Sequence, residues 1–250
     1  MKRYPEIDII KGIAVLCMIT FHFFYFPNQY GFKEIEYDTT TLKTIAKVAQ
    51  IIFITSVGIN MAFSYLNSKN DKKYRKKQIY RVMKISIYAL LMSIFTYYVF
   101  KEKYVKFGIL HFIAVSSLLL FMFIGNKNII KLITLLIGIL YFLKIHHQEL
   151  FYIVPEKIAF ISGFYNFKYA SIDHFSLVPW MALICIGILI GHYINENPFQ
   201  SSNTLTNNPI SKFLETTGKH SLEIYALHWI VLYFIFCIVY AKYKKKSISA

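Results

Sequence analysis

The sequence predicts an all-α fold, a polytopic membrane helix bundle of about seven transmembrane helices. Three observations lead there. Hydrophobic residues make up 56% of the 250 residues and charged residues only 16%, too few to clothe a soluble domain of this length. The mean hydropathy is +0.45. The apolar residues also fall into continuous blocks, most of them close to the ~20 residues that a helix needs to cross a bilayer. Strands of a membrane barrel would instead alternate apolar and polar positions over about ten residues.

The blocks follow one another along a single domain spanning 1–250. The first runs from Ile9 to Phe26, the second from Ile45 to Leu66, and the third from Ile79 to Phe100. The fourth covers Phe107 to Ile124, and the fifth, Ile129 to Leu143, is slightly short for a bilayer. The sixth is Leu177 to Ile194 and the seventh Leu222 to Tyr240. Between the fifth and sixth, the apolar stretch Leu150 to Phe164 is broken by Pro155, Glu156, Lys157 and Gly163. It reads as an interfacial or re-entrant segment; if it crossed, the spans would number eight. Asn195 to Lys219, rich in Asn, Ser, Thr and Pro, reads as a solvated connection. The first block has acidic residues before it and no small-residue cleavage site after it, so it reads as a retained span rather than a signal peptide.

The net charge of +15 suggests nucleic acid at first sight. Its distribution argues otherwise, because the basic residues gather between apolar blocks, where they orient helices and meet anionic headgroups. The strongest run is Lys69, Lys72, Lys73, Arg75, Lys76, Lys77, Arg81 and Lys84 against Asp71. It places the loop after the second span in the cytoplasm, the N-terminus on the same side, and the chain in the cytoplasmic membrane. Seven spans then carry Lys242, Lys244, Lys245 and Lys246 to the outside, against the same rule. Cys17, Cys185 and Cys237 lie inside apolar blocks with neither disulfide nor zinc spacing, and read as packing residues.

Ionisable groups inside spans cost on the order of 3 kcal/mol each on insertion scales, so each calls for an explanation. Asp8 and Lys11 open the first span and suit an interfacial ion pair. Lys11, Val15, Met18 and His22 share one helical stripe. His22 near the outer end of the first span, His111 at the start of the fourth, and Asp173 with His174 before the sixth are expected at one membrane face. An imidazole beside a carboxylate is a general base near neutral pH, and the spacing is no metal motif. Tyr225 and His228 face the same way in the seventh span, with His228 pointing into the bundle. His146, His147, His192 and His220 read as interfacial residues. Gly187 and Gly191 form a small-residue pair for close helix packing, and Ser56, Gly58 and Asn60 suit close packing or a pocket wall.

Several of these segments together resemble one family. Glu6-Ile7-Asp8-Ile9-Ile10-Lys11-Gly12-Ile13-Ala14 followed by Phe21-His22 is similar to the first span of the heparan-alpha-glucosaminide N-acetyltransferase catalytic-domain family. So are Phe53-Ile54 through Val57-Gly58-Ile59, Phe107-Gly108-Ile109-Leu110-His111-Phe112-Ile113, Asp173-His174-Phe175 with Leu177-Val178-Pro179-Trp180, and His220-Ser221-Leu222 with Ile224-Tyr225 and Leu227-His228. A first-span histidine also occurs in the wider membrane acyltransferase superfamily. The resemblance implies transfer of an acetyl or acyl group from cytoplasmic acyl-CoA to an amino or hydroxyl group of a sugar or glycan across the membrane. It implies acetyl-CoA as donor substrate, with no metal. His22 is the match for the catalytic histidine, with His111 and Asp173 in support, and Lys11, Arg81, Trp180 and His228 stand as donor-binding residues. Lys11 stands where the family often has arginine, and the chain is shorter than the animal lysosomal enzyme, which leaves the sugar open. Membrane lipid and a second copy of the chain are further partners. Two other classes remain at this point: a transporter using the histidines as proton relays, and a structural protein that would tolerate their replacement.

Overall fold

A computed structural model describes residues 4–29, 39–68, 71–151, 153–164, 171–199 and 208–248. Among them the chain is helical, with nine α-helices. They are α1 (Pro5–Gln29), α2 (Thr40–Leu66), α3 (Asp71–Phe100), α4 (Ile109–Leu120), α5 (Lys127–His146), α6 (Glu156–Ser162), α7 (Leu177–Glu196), α8 (Pro209–Lys219) and α9 (Ser221–Ile248). Six of them, α1, α2, α3, α5, α7 and α9, are long and apolar enough to cross a membrane. The expected helical membrane bundle is therefore found, with two adjustments. The fourth block yields only the 12-residue α4, about 18 Å at 1.5 Å per residue. From Lys72 on, the basic run expected in a loop lies instead on the first turns of α3, whose 30 residues reach well beyond a bilayer's thickness, while Lys69 lies outside the described residues. Lysine, arginine and glutamine are good helix formers, and an apolar span just ahead lets the helix continue through them.

The chain forms two compact units. One is built from Ile54–Gln200, the other from Arg3–Phe53 with Ser201–Ala250. The division falls within α2, which is one uninterrupted helix.

In the first unit, the C-terminal half of α2, then α3, α4, α5 and α7, run alternately between two ends. At one end Tyr65 packs edge-on against Tyr74 at 5.2 Å and covers Gly125, and Lys127 pairs with Glu196 at 2.6 Å. His192, buried on α7, donates from Nε2 to the Ile124 carbonyl at 2.8 Å. The sequence had suggested an ordinary interfacial residue there; the carbonyls freed where α4 ends explain its burial. At the other end lie Phe107, Phe160 and Phe175. Thus α4 and the turns after it connect the two ends despite the helix's shortness. The stretch that might have made an eighth span instead forms a 3₁₀ turn and the seven-residue α6, about 10 Å long and far too short to cross.

Glycines set the tightest crossing. A Cβ on Gly187 would strike the Thr55 carbonyl, one on Gly58 the Ile184 carbonyl, and one on Gly191 the Ala62 side chain. The small-residue spacing of α7 thus meets a matching small surface on α2, as expected. By contrast α5 leaves Leu132, Leu135, Leu136, Ile139 and Phe142 exposed, and α3 exposes Met83, Ile87, Leu90, Leu91 and Ile94. Such surfaces suit the apolar interior of a membrane.

In the second unit α1 and α9 run parallel. Asp8 lies beside Gly218 just ahead of α9, His22 beside His228, and Phe26 beside Phe236 at 6.3 Å. The amphipathic α8 lies along the start of α1, with Leu214 against Gly12. It starts at Asn208, whose side chain accepts the Ile210 N–H at 2.9 Å, with Pro209 in the first turn. The connection expected to be solvated thus ends in a packed helix. Parallel α1 and α9 put the C-terminal end of α9 away from the start of α1.

Candidate active site

Each unit holds a buried polar centre that includes histidine. In the second unit it is a pair of imidazoles. His22 is 8% exposed and His228 6%. They are placed 206 residues apart in sequence by the parallel packing of α1 on α9, and the His228 Nε2 to His22 Nδ1 distance is 3.0 Å. The protons on the rings follow from their other bonds. His228 Nδ1 lies 2.7 Å from the Tyr225 carbonyl, which only accepts, so Nδ1 carries the hydrogen and Nε2 of the neutral ring is bare. His22 Nδ1 lies 2.9 Å from the Met18 carbonyl and likewise must donate. The His22 Nδ1–H is therefore shared between Met18 O and His228 Nε2. Nε2 of His22 is left as the bare nitrogen, and no hydrogen bond among the described residues engages it. Aromatic rings hold the pair: Trp229 at 4.8 Å from the His22 ring, Tyr225 at 5.3 Å from His228, and Phe53 stacked on Tyr225 at 5.7 Å.

Lys11, 8% exposed, meets Asp8 at 2.6 Å, the ion pair that their spacing suggested. Both groups are buried, and the pairing offsets the cost of taking two charges out of water.

The centre of the first unit gathers at its Phe107 end. Segment 171–176 lies along 103–108: Ile172 N–H donates to Lys103 O at 3.0 Å, Phe175 N–H to Phe107 O at 3.0 Å, and Phe107 bridges to His174. This brings Asp173 onto the start of α4. Gly108 there has no side chain with which to cap the helix, and Asp173 Oδ2 accepts the Ile109 N–H at 3.1 Å in its place. A Cβ on Gly108 would strike that carboxylate, so the glycine is needed for the approach. Burial pushes the Asp173 carboxyl up to about 6, with the Ile109 bond opposing the shift. His111, two residues into α4, lies with Nε2 at 3.2 Å from Ser93 Oγ. Its Nδ1 is buried with no hydrogen-bond partner among the described residues. His174 Nε2 donates to Phe160 O at 3.0 Å and its ring stacks on Phe160, tying α6 to the loop. Burial, chiefly, lowers its basicity.

Of the residues read from the sequence, the first unit thus joins His111, Asp173 and His174, while His22 is joined to His228 in the second. His228, expected among donor-binding residues, lies against His22. Trp180 packs on Phe175 at 4.8 Å, at the Phe107 end. Arg81 lies on the buried stripe of α3 defined by Tyr74, Gln78, Ile85, Ala89 and Met92. It is twelve residues from Ser93, about 18 Å along the helix, so Trp180 and Arg81 lie at different heights in the unit. No carboxylate among the described residues pairs with Arg81. Ser93 and Thr96 escaped the sequence reading, because a hydroxyl in an apolar helix is ordinarily satisfied by its own backbone. Here Thr96 Oγ1 accepts the Val105 N–H at 3.0 Å and Ser93 Oγ donates to Val105 O at 2.6 Å, so both grip the turn before α4.

The chain matches no curated protein and no solved structure. The family model described as heparan-alpha-glucosaminide N-acetyltransferase, catalytic, matches residues 3–230, nearly the whole length, and the chain belongs to this family of acetyltransferase-type membrane enzymes.

Proposed function

We propose that the protein transfers an acetyl group from acetyl-CoA to the amine or hydroxyl of a sugar or glycan, with His22 Nε2 as the base or the acyl-carrying nucleophile. The observation that carries this reading is the bare Nε2 on a ring whose Nδ1–H is already held, by Met18 O at 2.9 Å and His228 Nε2 at 3.0 Å. A thioester is an activated acyl donor, so the enzyme's tasks are orientation and removal of one proton. In direct transfer, His22 Nε2 takes the acceptor's proton as the new C–N or C–O bond forms. The C–S bond breaks, and the thiolate leaves and takes up that proton. In the two-step route Nε2 attacks the thioester carbonyl, CoA leaves, and the acceptor then displaces the acetyl group from the ring. In either route positive charge develops on His22, and the shared Nδ1–H strengthens as it does. His228 thus positions and stabilises the base.

His111 and Asp173 are assigned to acceptor binding and charge stabilisation. Arg81 is the cation for the CoA phosphates, on the basic end of α3; Lys11 offers a second only by leaving Asp8. The basic start of α3 supports a cytoplasmic donor side with the N-terminus inside.

The test is His22→Ala in purified protein, assayed for CoA thiol release from acetyl-CoA with amino-sugar and hydroxyl acceptors. Activity at background is expected, and full activity removes His22 from the mechanism. Radiolabelled acetyl retained on the wild-type protein without acceptor, and lost in the variant, identifies the two-step route.

A further inference from the structure

We infer that the groove between α5 and α7 binds one anionic phospholipid of the membrane, with its phosphate on Lys131 and one acyl chain laid along α5 past Gly138. The groove lies wholly within the first unit and holds about 560 Å³. Thr134, Leu135, Gly138, Ile139 and Phe142 of α5 line it with Leu189 of α7, and the Lys131 side chain closes one end. Lys131, Leu135, Gly138 and Phe142 follow at intervals of 4, 3 and 4, the spacing of one helical stripe. Gly138 is the notch in that stripe, since a Cβ there would meet nothing within 4 Å. Leu135 and Phe142 stand 60% and 59% exposed to either side of it. Glycine inside a helix is disfavoured relative to alanine, and Gly58, Gly187 and Gly191 offset that by close helix crossings. Gly138 has no such neighbour among the described residues, and the space beside it faces the lipid.

Charge and length select the occupant. Lys131 is one turn into α5, at the end of the unit where α3 has its basic turns and Lys127 meets Glu196 at 2.6 Å. Lys131 lies within electrostatic range of the same Glu196, so two ammonium groups share one carboxylate. An anionic headgroup balances the second, as polybasic segments do at anionic membrane surfaces. Side chains on a helix lean toward its N-terminus, so the Lys131 stem runs along the apolar wall and its ammonium reaches toward the headgroup layer. From Lys131 to Phe142 the stripe runs about 16 Å, close to half of the ~30 Å hydrocarbon thickness, the depth of one leaflet. A polar solute finds little here: the Thr134 hydroxyl already donates to Ile130 O at 2.8 Å. A second copy sharing this face about an axis along the membrane normal would bring Lys131 near its own counterpart, two like charges.

The test reconstitutes the full-length protein in dioleoyl phosphatidylcholine bilayers. A trace of phosphatidylglycerol or of phosphatidylcholine carries a photoactivatable diazirine in its acyl chain, and peptide mass spectrometry locates the adducts. Adducts are expected on α5 between Thr134 and Phe142 and at Leu189, about fivefold more from phosphatidylglycerol, the effect of one lysine at an anionic headgroup. Lys131→Gln should bring the two lipids level, and Lys131→Arg should keep the preference. Gly138→Phe fills the notch and should remove the adducts of both lipids, with the thermal midpoint in detergent reporting that the fold is intact. Lys131→Gln changes an exposed side chain and does not depend on that variant folding. Equal labelling by the two lipids in the wild type, or a preference that survives Lys131→Gln, overturns the headgroup assignment. Adducts that survive Gly138→Phe overturn the groove. Disulfide-linked dimers of Gly138→Cys in membranes, in excess of the wild type, assign the face to a second copy and overturn the lipid site. CoA release does not enter these measurements, so the lipid site stands or falls apart from the acetyl-transfer reading.

Discussion

Replacement of His228 by phenylalanine isolates the contribution of the imidazole pair. The aromatic ring keeps most of the packing volume between Tyr225 and Trp229, and only the Nε2 acceptor is lost. In the resting protein the loss is modest. His22 Nδ1–H still has Met18 O at 2.9 Å, so the ring keeps its tautomer and one of two acceptors, and a neutral bond of this kind contributes about 1 kcal/mol. The difference grows when His22 Nε2 takes up a proton or an acyl group. The Nδ1–H is then part of a cation, and bonds to charged groups contribute about 1.5–3 kcal/mol. About 1 kcal/mol of this is lost in the resting protein as well, so about 0.5–2 kcal/mol falls on the chemical step, and at 1.36 kcal/mol per decade of rate this amounts to a loss of about 2- to 30-fold. Because the strengthened bond exists only as charge develops, the loss belongs in kcat, with KM for acetyl-CoA little changed. The assay is CoA thiol release by purified His228→Phe and wild-type protein in the same detergent, over a range of acetyl-CoA concentrations. Wild-type kcat in the variant would refute the argument that His228 supports the base. A large rise in KM with kcat intact would restore it to donor binding, where the sequence had suggested it belongs.

Two further predictions concern the first unit. Asp173, with its native pKa raised to about 6 by burial, holds a proton that the unfolded carboxyl would release near its ordinary 3.8; its contribution to stability is therefore full below the unfolded value and lost as pH rises through about 6. Asp173→Asn should gain thermal midpoint relative to wild type between about pH 4 and pH 6, and a difference constant across that window contradicts the burial argument. Gly187→Val forces a side chain into the Thr55 carbonyl and should destabilise the protein by at least the ~1–3 kcal/mol of overpacking. Gly138→Val, where a Cβ meets nothing within 4 Å, should leave the thermal midpoint in detergent nearly unchanged, and equal losses at the two glycines would contradict the packing described.

The sequence by itself determined that the chain is a helical membrane bundle, because continuous apolar blocks have no other way to satisfy their backbone in lipid. It also marked the intramembrane histidines, since a polar group there is costly wherever it points. The pairing of Gly187 with α2 was legible for a related reason: small residues at helical spacing leave little other than a close crossing. Which histidines meet was not legible. His22 and His228 are joined by the parallel packing of the first and last long helices, and neither residue's local sequence carries that register. Apolar residues near His111 do not announce that Ser93, eighteen positions earlier, will hold its Nε2. The shortness of α4 was hidden too, because hydropathy continues through the turns that follow the helix. Tertiary structure decided these points for one physical reason: hydrophobicity selects which segments enter the bilayer, whereas the direction of each side chain within it is selected by interlocking of neighbouring helices and by the hydrogen bonds that buried polar groups gain there.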